Sequence, residues 1–262
     1  MNAIVEQSDP VAAIDSAADI PGVGAACRQV AASLGFNHFI YAFRAPVSLT
    51  HPCQFILSGY PRAWREHYDR HSYLLIDPVI ARALGTVLPF TWDELDKSDP
   101  AVARLFQEAA AFGLCHGFSV PVHGAHGEGG VLSLAREGPA LPAERAARQR
   151  LFQQAQWFSA VLHQKVRQLV FREDEPPVRA ARLTRREHDC LLLAAEGQSA
   201  QVIASVLKIA ERTVVFHLTR AERKLGTRRR QHAVARAVAL GQIKPSNYPA
   251  RFSDSVELVE LN

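Results

Sequence analysis

Apolar positions along the chain change period several times, and the changes divide it into elements. From Gly22 to Leu34 small and apolar residues recur at helical spacing, with Gly35 placed to end the helix. Two strand-like runs follow, His38–Arg44 and Cys53–Ser58, rich in aromatic and β-branched residues. Pro61 opens a short helix to Arg70, Asp77-Pro78 another to Leu84, and Asp99-Pro100 an amphipathic helix to Phe112 closed by Gly113. Strands at His116–His123 and Gly130–Arg136 flank a turn at Gly124–Gly129, and a long helix runs from Pro142 to Phe171. This order predicts an α/β domain, an α-β-α sandwich around a mostly antiparallel sheet. Residues 1–20 lack strong periodicity and read as a loose arm or short helix.

Arg172–Arg182 is charged and contains Pro176-Pro177, which cannot continue a helix, so it reads as a linker. Everything after it has helical period. Thr184 and Glu187 form a capping box before the apolar run Cys190–Ala195, and Gly197 ends that helix. Ser199 caps a second helix to Leu207; Lys208–Ala210 is a tight turn; Glu211–Leu225 and Arg229–Leu240 complete an all-α four-helix module. Pro245–Asn262 forms a mildly acidic tail with a short strand expected at Val256–Leu261.

The chain's 262 residues fit two modest domains, and 48% hydrophobic with 21% charged residues excludes wholesale disorder. No apolar run approaches the roughly 20 residues of a membrane span, and the acidic N-terminus lacks the basic region of a secretory signal. Four cysteines without CxxC spacing read as reduced thiols, which with the other signs predicts a cytoplasmic protein. The net charge of +4 is unevenly divided. Residues 179–244 hold 14 Lys/Arg against 5 Asp/Glu, a net of +9, so the remainder is acidic by −5. A small basic module on an acidic body fits contact with nucleic acid.

Short helix, tight turn and longer helix between Ser199 and Leu225 make a helix-turn-helix, whose second helix can enter the major groove. Val214, Leu218, Ala221 and Leu225 share one face of that helix, as a buried side would. Val215, Thr219, Arg220 and Arg223 point away from it, towards base edges. Arg212, Lys224, Arg228, Arg229 and Arg230 flank the helix and suit phosphate contacts.

A second constellation lies in the body: Tyr60, Trp64 and Tyr68 at i, i+4, i+8, then Asp77-Pro78, then Trp92. Aromatic rings around one carboxylate have the composition of a small-molecule pocket. The same stripe also reads as ordinary core with Asp77 as an N-cap, which spacing alone favours, though the residues leave both readings open.

The module's residues, LTRREHDCLLLAAEGQSAQVIASVLKIAERTVVFHLTRAERKL, resemble the DNA-binding domain of LuxR-type regulators, matching at Glu187, Gly197, Thr213, Val214, His217, Ala221 and Lys224 among others. Val202, Ala210 and Arg220 depart from the family pattern. GYPRAWREHYDRHSYLLIDPVIARALGTVLPFTWDEL, with FGLCHGFSVPV and GGVLSL later, is similar to the autoinducer-binding domain of LuxR-type quorum-sensing receptors. The resemblance implies a regulatory N-acyl-homoserine lactone rather than a cofactor. It implies that Trp64 donates to the lactone carbonyl, Asp77 accepts from the amide N–H, and Tyr60 and Ser133 donate to the acyl amide carbonyl. Tyr68 and Trp92 would pack on the acyl stem and lactone ring, and Val79 departs from a hydroxyl residue found in some receptors. It adds Thr213 and His217 to the DNA-binding candidates. The expected domains are residues 1–171 for ligand binding and dimerisation, 172–182 as linker, 183–244 for DNA binding and 245–262 as tail.

Other chemistry finds little support. His116, His123 and His126 bracket a glycine-rich turn without a familiar metal-ligand spacing, and neither a phosphate-binding loop nor a nucleophile motif is present. The reading is therefore not an enzyme but a transcriptional regulator that binds promoter DNA as a homodimer, with RNA polymerase a further candidate partner and no membrane. Two rivals remain: a regulator of the same fold that ignores lactones, and an antagonist that heterodimerises with related receptors.

Overall fold

The structure, a computed structural model, describes residues 11–45, 53–124, 128–170 and 182–243. These fall into two compact units, one ending at residue 170 and one beginning at 182. The first ten residues, the tip of the 124–129 turn, nearly all of the linker and the tail with its expected strand lie outside the described residues.

The first unit opens with α1 (Ala12–Ser16) and α2 (Ile20–Ser33). Helix α2 starts two residues before the expected Gly22 because the Asp19 carboxylate accepts from the Gly22 N–H at 2.8 Å and Pro21 occupies the first turn. It stops at Gly35, whose φ of 82° only glycine adopts readily. There follow β1 (His38–Ala45), β2 (Cys53–Ser58), α3 (Arg62–Arg70), a 3-10 turn at Tyr73–Leu75 and α4 (Pro78–Gly85). Next come β3 (Phe90–Thr91), a 3-10 turn at Trp92–Glu94, α5 (Pro100–Ala110), β4 (His116–His123), β5 (Gly129–Arg136) and α6 (Arg145–Val170). Helix α1 is the short helix that residues 1–20 allowed, while the periodicity missed β3 and both 3-10 turns, each too short to show a period. Helix α6 begins at Arg145 rather than Pro142, and α5 ends at Ala110 with Phe112 already in the turn before Gly113.

The strands form one sheet in the order β2-β1-β5-β4-β3, every pairing antiparallel. Strand β5 is central, and alternation sends its side chains to two different cores. Leu132 and Leu134 face one side with Phe118 of β4, whose ring packs 5.2 Å from Phe152 of α6. Val131 and Ala135 face the other and join a cluster with Trp64 and Tyr68 of α3, Val79 and Ala83 of α4, Trp92, and Leu105 and Ala109 of α5. The sheet therefore has helices over both faces, as the α-β-α expectation required, and the aromatic constellation belongs to one of them.

The second unit is all-α: α7 (Arg185–Ala195), α8 (Ala200–Leu207), α9 (Glu211–Lys224) and α10 (Arg230–Ala239). The Thr184–Glu187 capping box is present, Ser199 accepts from the Val202 N–H at 3.3 Å, and Lys208 turns the chain at a φ of 55°. Val214, Leu218, Ala221 and Leu225 join Leu191 and Ile203 in its core.

Candidate functional site

Tyr60 does not lie on the helix with Trp64 and Tyr68, contrary to the i, i+4, i+8 reading. Pro61 is the N-cap of α3, and Tyr60 precedes it in the bend after β2. The aromatic group nevertheless assembles, because α3 returns over the sheet. Trp64 and Tyr68 are buried, with ring centroids 5.9 Å apart, edge to face. After α3 the chain reverses at Ser72, in the left-handed region at a φ of 54°, and brings Asp77 back against Tyr68.

Asp77 is engaged through both of its oxygens. Its Oδ1 accepts from the Val79 N–H at 2.9 Å and caps α4, while Oδ2 accepts from the Tyr68 hydroxyl at 2.8 Å. Burial raises the carboxyl's pKa above its ordinary value, and the bonds from Val79 and Tyr68 offset part of that rise. The Tyr68 hydroxyl is held neutral by burial and then by the Asp77 charge; Tyr60 likewise, though a hydrogen bond with Ser133 and the charge of Arg65 act against this.

Trp92 closes the other end. Its indole N–H donates to Ser119 Oγ at 3.1 Å, and Ser119 lies 2.8 Å from Ser133 Oγ, directly across β4 and β5. Ring and strand approach closely because residue 117 is glycine. A Cβ there would stand 2.7 Å from the Trp92 ring and 2.8 Å from the Leu134 carbonyl oxygen. The result is a line of polar atoms, Trp92–Ser119–Ser133–Tyr60 and Tyr68–Asp77, bordering an apolar cluster. All six predicted pocket residues therefore meet on one face of the sheet.

In the second unit α9 exposes Arg212, Val215, Thr219, Arg220 and Arg223, while Thr213 and His217 are half-buried at its flank. Arg229, the N-cap of α10, is exposed beyond its end. Lys224 is placed differently from the free phosphate contact expected of it. Its Nζ reaches Glu187 Oε2 at 2.6 Å and the Arg182 carbonyl at 3.1 Å. Arg220 also leans towards Glu187, with Nε 3.4 Å from Oε1. Burial pushes the Glu187 carboxyl up, but the bonds from Lys224 and Thr184 and the Lys224 charge outweigh it and hold the pKa below its ordinary value.

Residues 19–166 match the autoinducer binding domain, and residues 181–237 match the bacterial regulatory proteins of the luxR family. The chain belongs to the LuxR family. It is 34% identical over 227 residues to the transcriptional activator AhyR of Aeromonas hydrophila, covering 81% of this chain and 82% of that protein. It is also 34% identical over 229 residues to the quorum sensing-dependent regulator RpaR of Rhodopseudomonas palustris, covering 86% and 90%. Escherichia coli SdiA shares its fold, with a TM-score of 0.71 at 23% identity over 89% of this chain and 96% of the other. This is a family of transcriptional regulators, not of enzymes, with an autoinducer-binding domain ahead of a helix-turn-helix DNA-binding domain.

Three residues of this LuxR-family chain escaped the sequence reading. Ser119 is buried beneath Trp92; its position opposite Ser133 emerges only from strand register. Glu108 of α5 accepts from Tyr73 at 2.5 Å, from His67 at 2.6 Å and from Arg104 at 2.6 Å, and so braces the ring of His67 stacked 5.8 Å from Trp64. Phe216 sits exposed on α9 among the arginines. The histidines around the β4–β5 turn separate: His123 bonds the Thr86 carbonyl at 2.8 Å, and His126 is outside the described residues. Among the described residues no three His, Cys, Asp or Glu side chains are grouped to hold a metal, and no helix is long and apolar enough to cross a membrane.

Proposed function

We propose that this protein is an N-acyl-homoserine-lactone-responsive regulator that binds pseudo-palindromic promoter DNA as a homodimer in the cytoplasm. The observation that carries the ligand reading is Asp77, a half-buried carboxylate that, among the described residues, accepts the Val79 cap bond and one from Tyr68, and that is set among aromatic rings. A buried secondary amide needs both a donor and an acceptor, since leaving either unpaired costs ~1–3 kcal/mol. Asp77 accepts the ligand's amide N–H, with Tyr68 holding the carboxylate in place as well as packing on the acyl stem. Tyr60 and Ser133 donate to the acyl carbonyl, and the Trp64 N–H donates to the lactone carbonyl. Trp92, its own N–H engaged by Ser119, offers only its ring.

Ligand burial stabilises the folded form by mass action, ~2.7 kcal/mol at a hundredfold excess over Kd. The homodimer reading rests on α6. Between Leu151 and Gln164 it has no Lys, Arg, Asp or Glu, and its outward face presents Gln153, Gln156, Ala160, Gln164 and Trp157, the last 64% exposed. Charge depletion around an aromatic is the composition of an interface core. Two helix-turn-helix modules then read half-sites one helical turn, ~10 base pairs, apart. RNA polymerase is the partner such a regulator would meet at a promoter. The proposed domain limits are 1–171 for ligand binding and dimerisation, 172–182 as linker, 183–244 for DNA binding and 245–262 as tail.

The deciding experiment is mass spectrometry of an organic extract of the purified full-length chain, expressed with a panel of lactones, joined to DNA binding with and without the retained ligand. Retention of one lactone with gain of specific binding supports the reading. Specific binding with no lactone retained overturns its ligand half alone.

A further inference from the structure

We propose that Phe216 reads thymine methyl groups in the major groove, a specificity contact at the centre of the DNA-facing surface. This rests on the assignment of α9 as the groove-reading helix.

At roughly 3.6 residues per turn, Phe216 stands about 200° around α9 from Val214 and about 160° from Leu218. Both of those are in the core, at 0% and 1% exposure. Phe216 is therefore diametrically opposite the buried line, and it is 53% exposed. Arg212, Thr219 and Arg223, all exposed, surround the same direction. The Arg220 guanidinium lies over the phenyl ring, 5.5 Å from its centroid, and is tethered behind by Glu187. His217 meets the ring edge-on at 5.5 Å.

Isolated exposed apolar residues are common on protein surfaces and need no account. This one is distinguished by its place. The middle of a basic face holds a ring that can neither donate nor accept a hydrogen bond, and it is fixed by a cation above it and an imidazole beside it. Phosphates offer such a ring nothing, so the arginines around it take the backbone. Of the groups displayed in the major groove, the C5 methyl of thymine is the one that makes an apolar contact. Val215, beside it and 45% exposed, widens the same apolar strip. A second protein could also cover a phenyl ring, but the ring of arginines favours a polyanion.

Full-length protein, expressed with a mixed panel of N-acyl-homoserine lactones, would first be used to enrich duplexes from a random pool. Each thymine of an enriched duplex is then replaced by deoxyuridine, which removes one methyl and leaves every hydrogen-bonding group. The wild type is expected to lose about fourfold in affinity at one or two thymines per half-site, the size of one methyl leaving a dry contact. Phe216→Ala should bind the thymine and uracil duplexes alike, and Phe216→Leu should keep part of the difference. An undiminished thymine preference in Phe216→Ala, or no sensitive thymine in the wild type, overturns the proposal. So does normal DNA binding by Phe216→Ala with loss of transcriptional output in a reporter strain, which would place a protein on this ring. Failure of the wild type to enrich any duplex would overturn the DNA-binding reading beneath it.

Discussion

Asp77→Asn separates the two duties of the carboxylate. Asparagine caps a helix about as well as aspartate, so the bond to the Val79 N–H and the start of α4 survive. What disappears is a charged acceptor inside the pocket. Hydrogen bonds to charged groups contribute ~1.5–3 kcal/mol, so the lactone dose–response should shift to higher concentration by about 10- to 100-fold.

Stability should move the other way. Burial raises the folded-state pKa of Asp77 above its ordinary value of 3.8, so the folded chain holds this proton more tightly than the unfolded chain. Such a group stabilises below the unfolded pKa, and that contribution is lost as pH rises through the raised value. The charged form of Asp77 therefore opposes folding, and the asparagine variant without ligand should melt at the same or a higher temperature than wild type. The assay is thermal unfolding of the full-length chain at pH 7 with and without lactone, beside a reporter dose–response at matched soluble expression. A lowered melting temperature with an unchanged dose–response would refute the pocket assignment and leave Asp77 as a cap alone.

Gly117→Ala should damage the same site by crowding: its Cβ would meet the Trp92 ring at 2.7 Å and a backbone oxygen at 2.8 Å, an overpacking cost of ~1–3 kcal/mol visible in thermal unfolding. Glu108, its pKa lowered to about 2 by hydrogen bonds from Tyr73, His67 and Arg104, contributes stability above its ordinary value of 4.5 that is lost as pH falls towards about 2. Glu108→Gln should accordingly flatten the acid limb of a melting-temperature profile over about pH 2–6, and an unaltered limb would show that the network adds nothing. In the DNA-binding unit the two basic candidates should diverge. Arg229→Ala, at an exposed position, should lower the salt slope of DNA binding by about one, alike for all sequences. Lys224→Met should instead lower the unfolding temperature, because it leaves Glu187, its side chain 2% exposed, short of its 2.6 Å partner. Titration of binding against salt, beside melting curves, distinguishes them.

Local signals sufficed wherever one element could be specified by its own residues. The caps at Thr184 and Ser199, the glycines at 35, 113 and 197, and the switches between period 2 and period 3.6 placed most helices and strands, because those preferences act within a few residues. The family resemblance named the six pocket residues, while spacing alone favoured an ordinary core. Tertiary structure adds that Asp77 both caps α4 and meets Tyr68, since whether its second oxygen reaches Tyr68 depends on how α3 and α4 pack, not on the residues between them. Register likewise decided Ser119. Nothing near residue 119 in the chain announces Ser133, yet pairing of β4 with β5 sets the two hydroxyls 2.8 Å apart on the pocket face. Lys224 shows the same limit in the opposite direction. On a helical wheel it is one more cation beside the groove, but a buried carboxylate 37 residues earlier claims its charge, and only the fold brings that carboxylate within 2.6 Å.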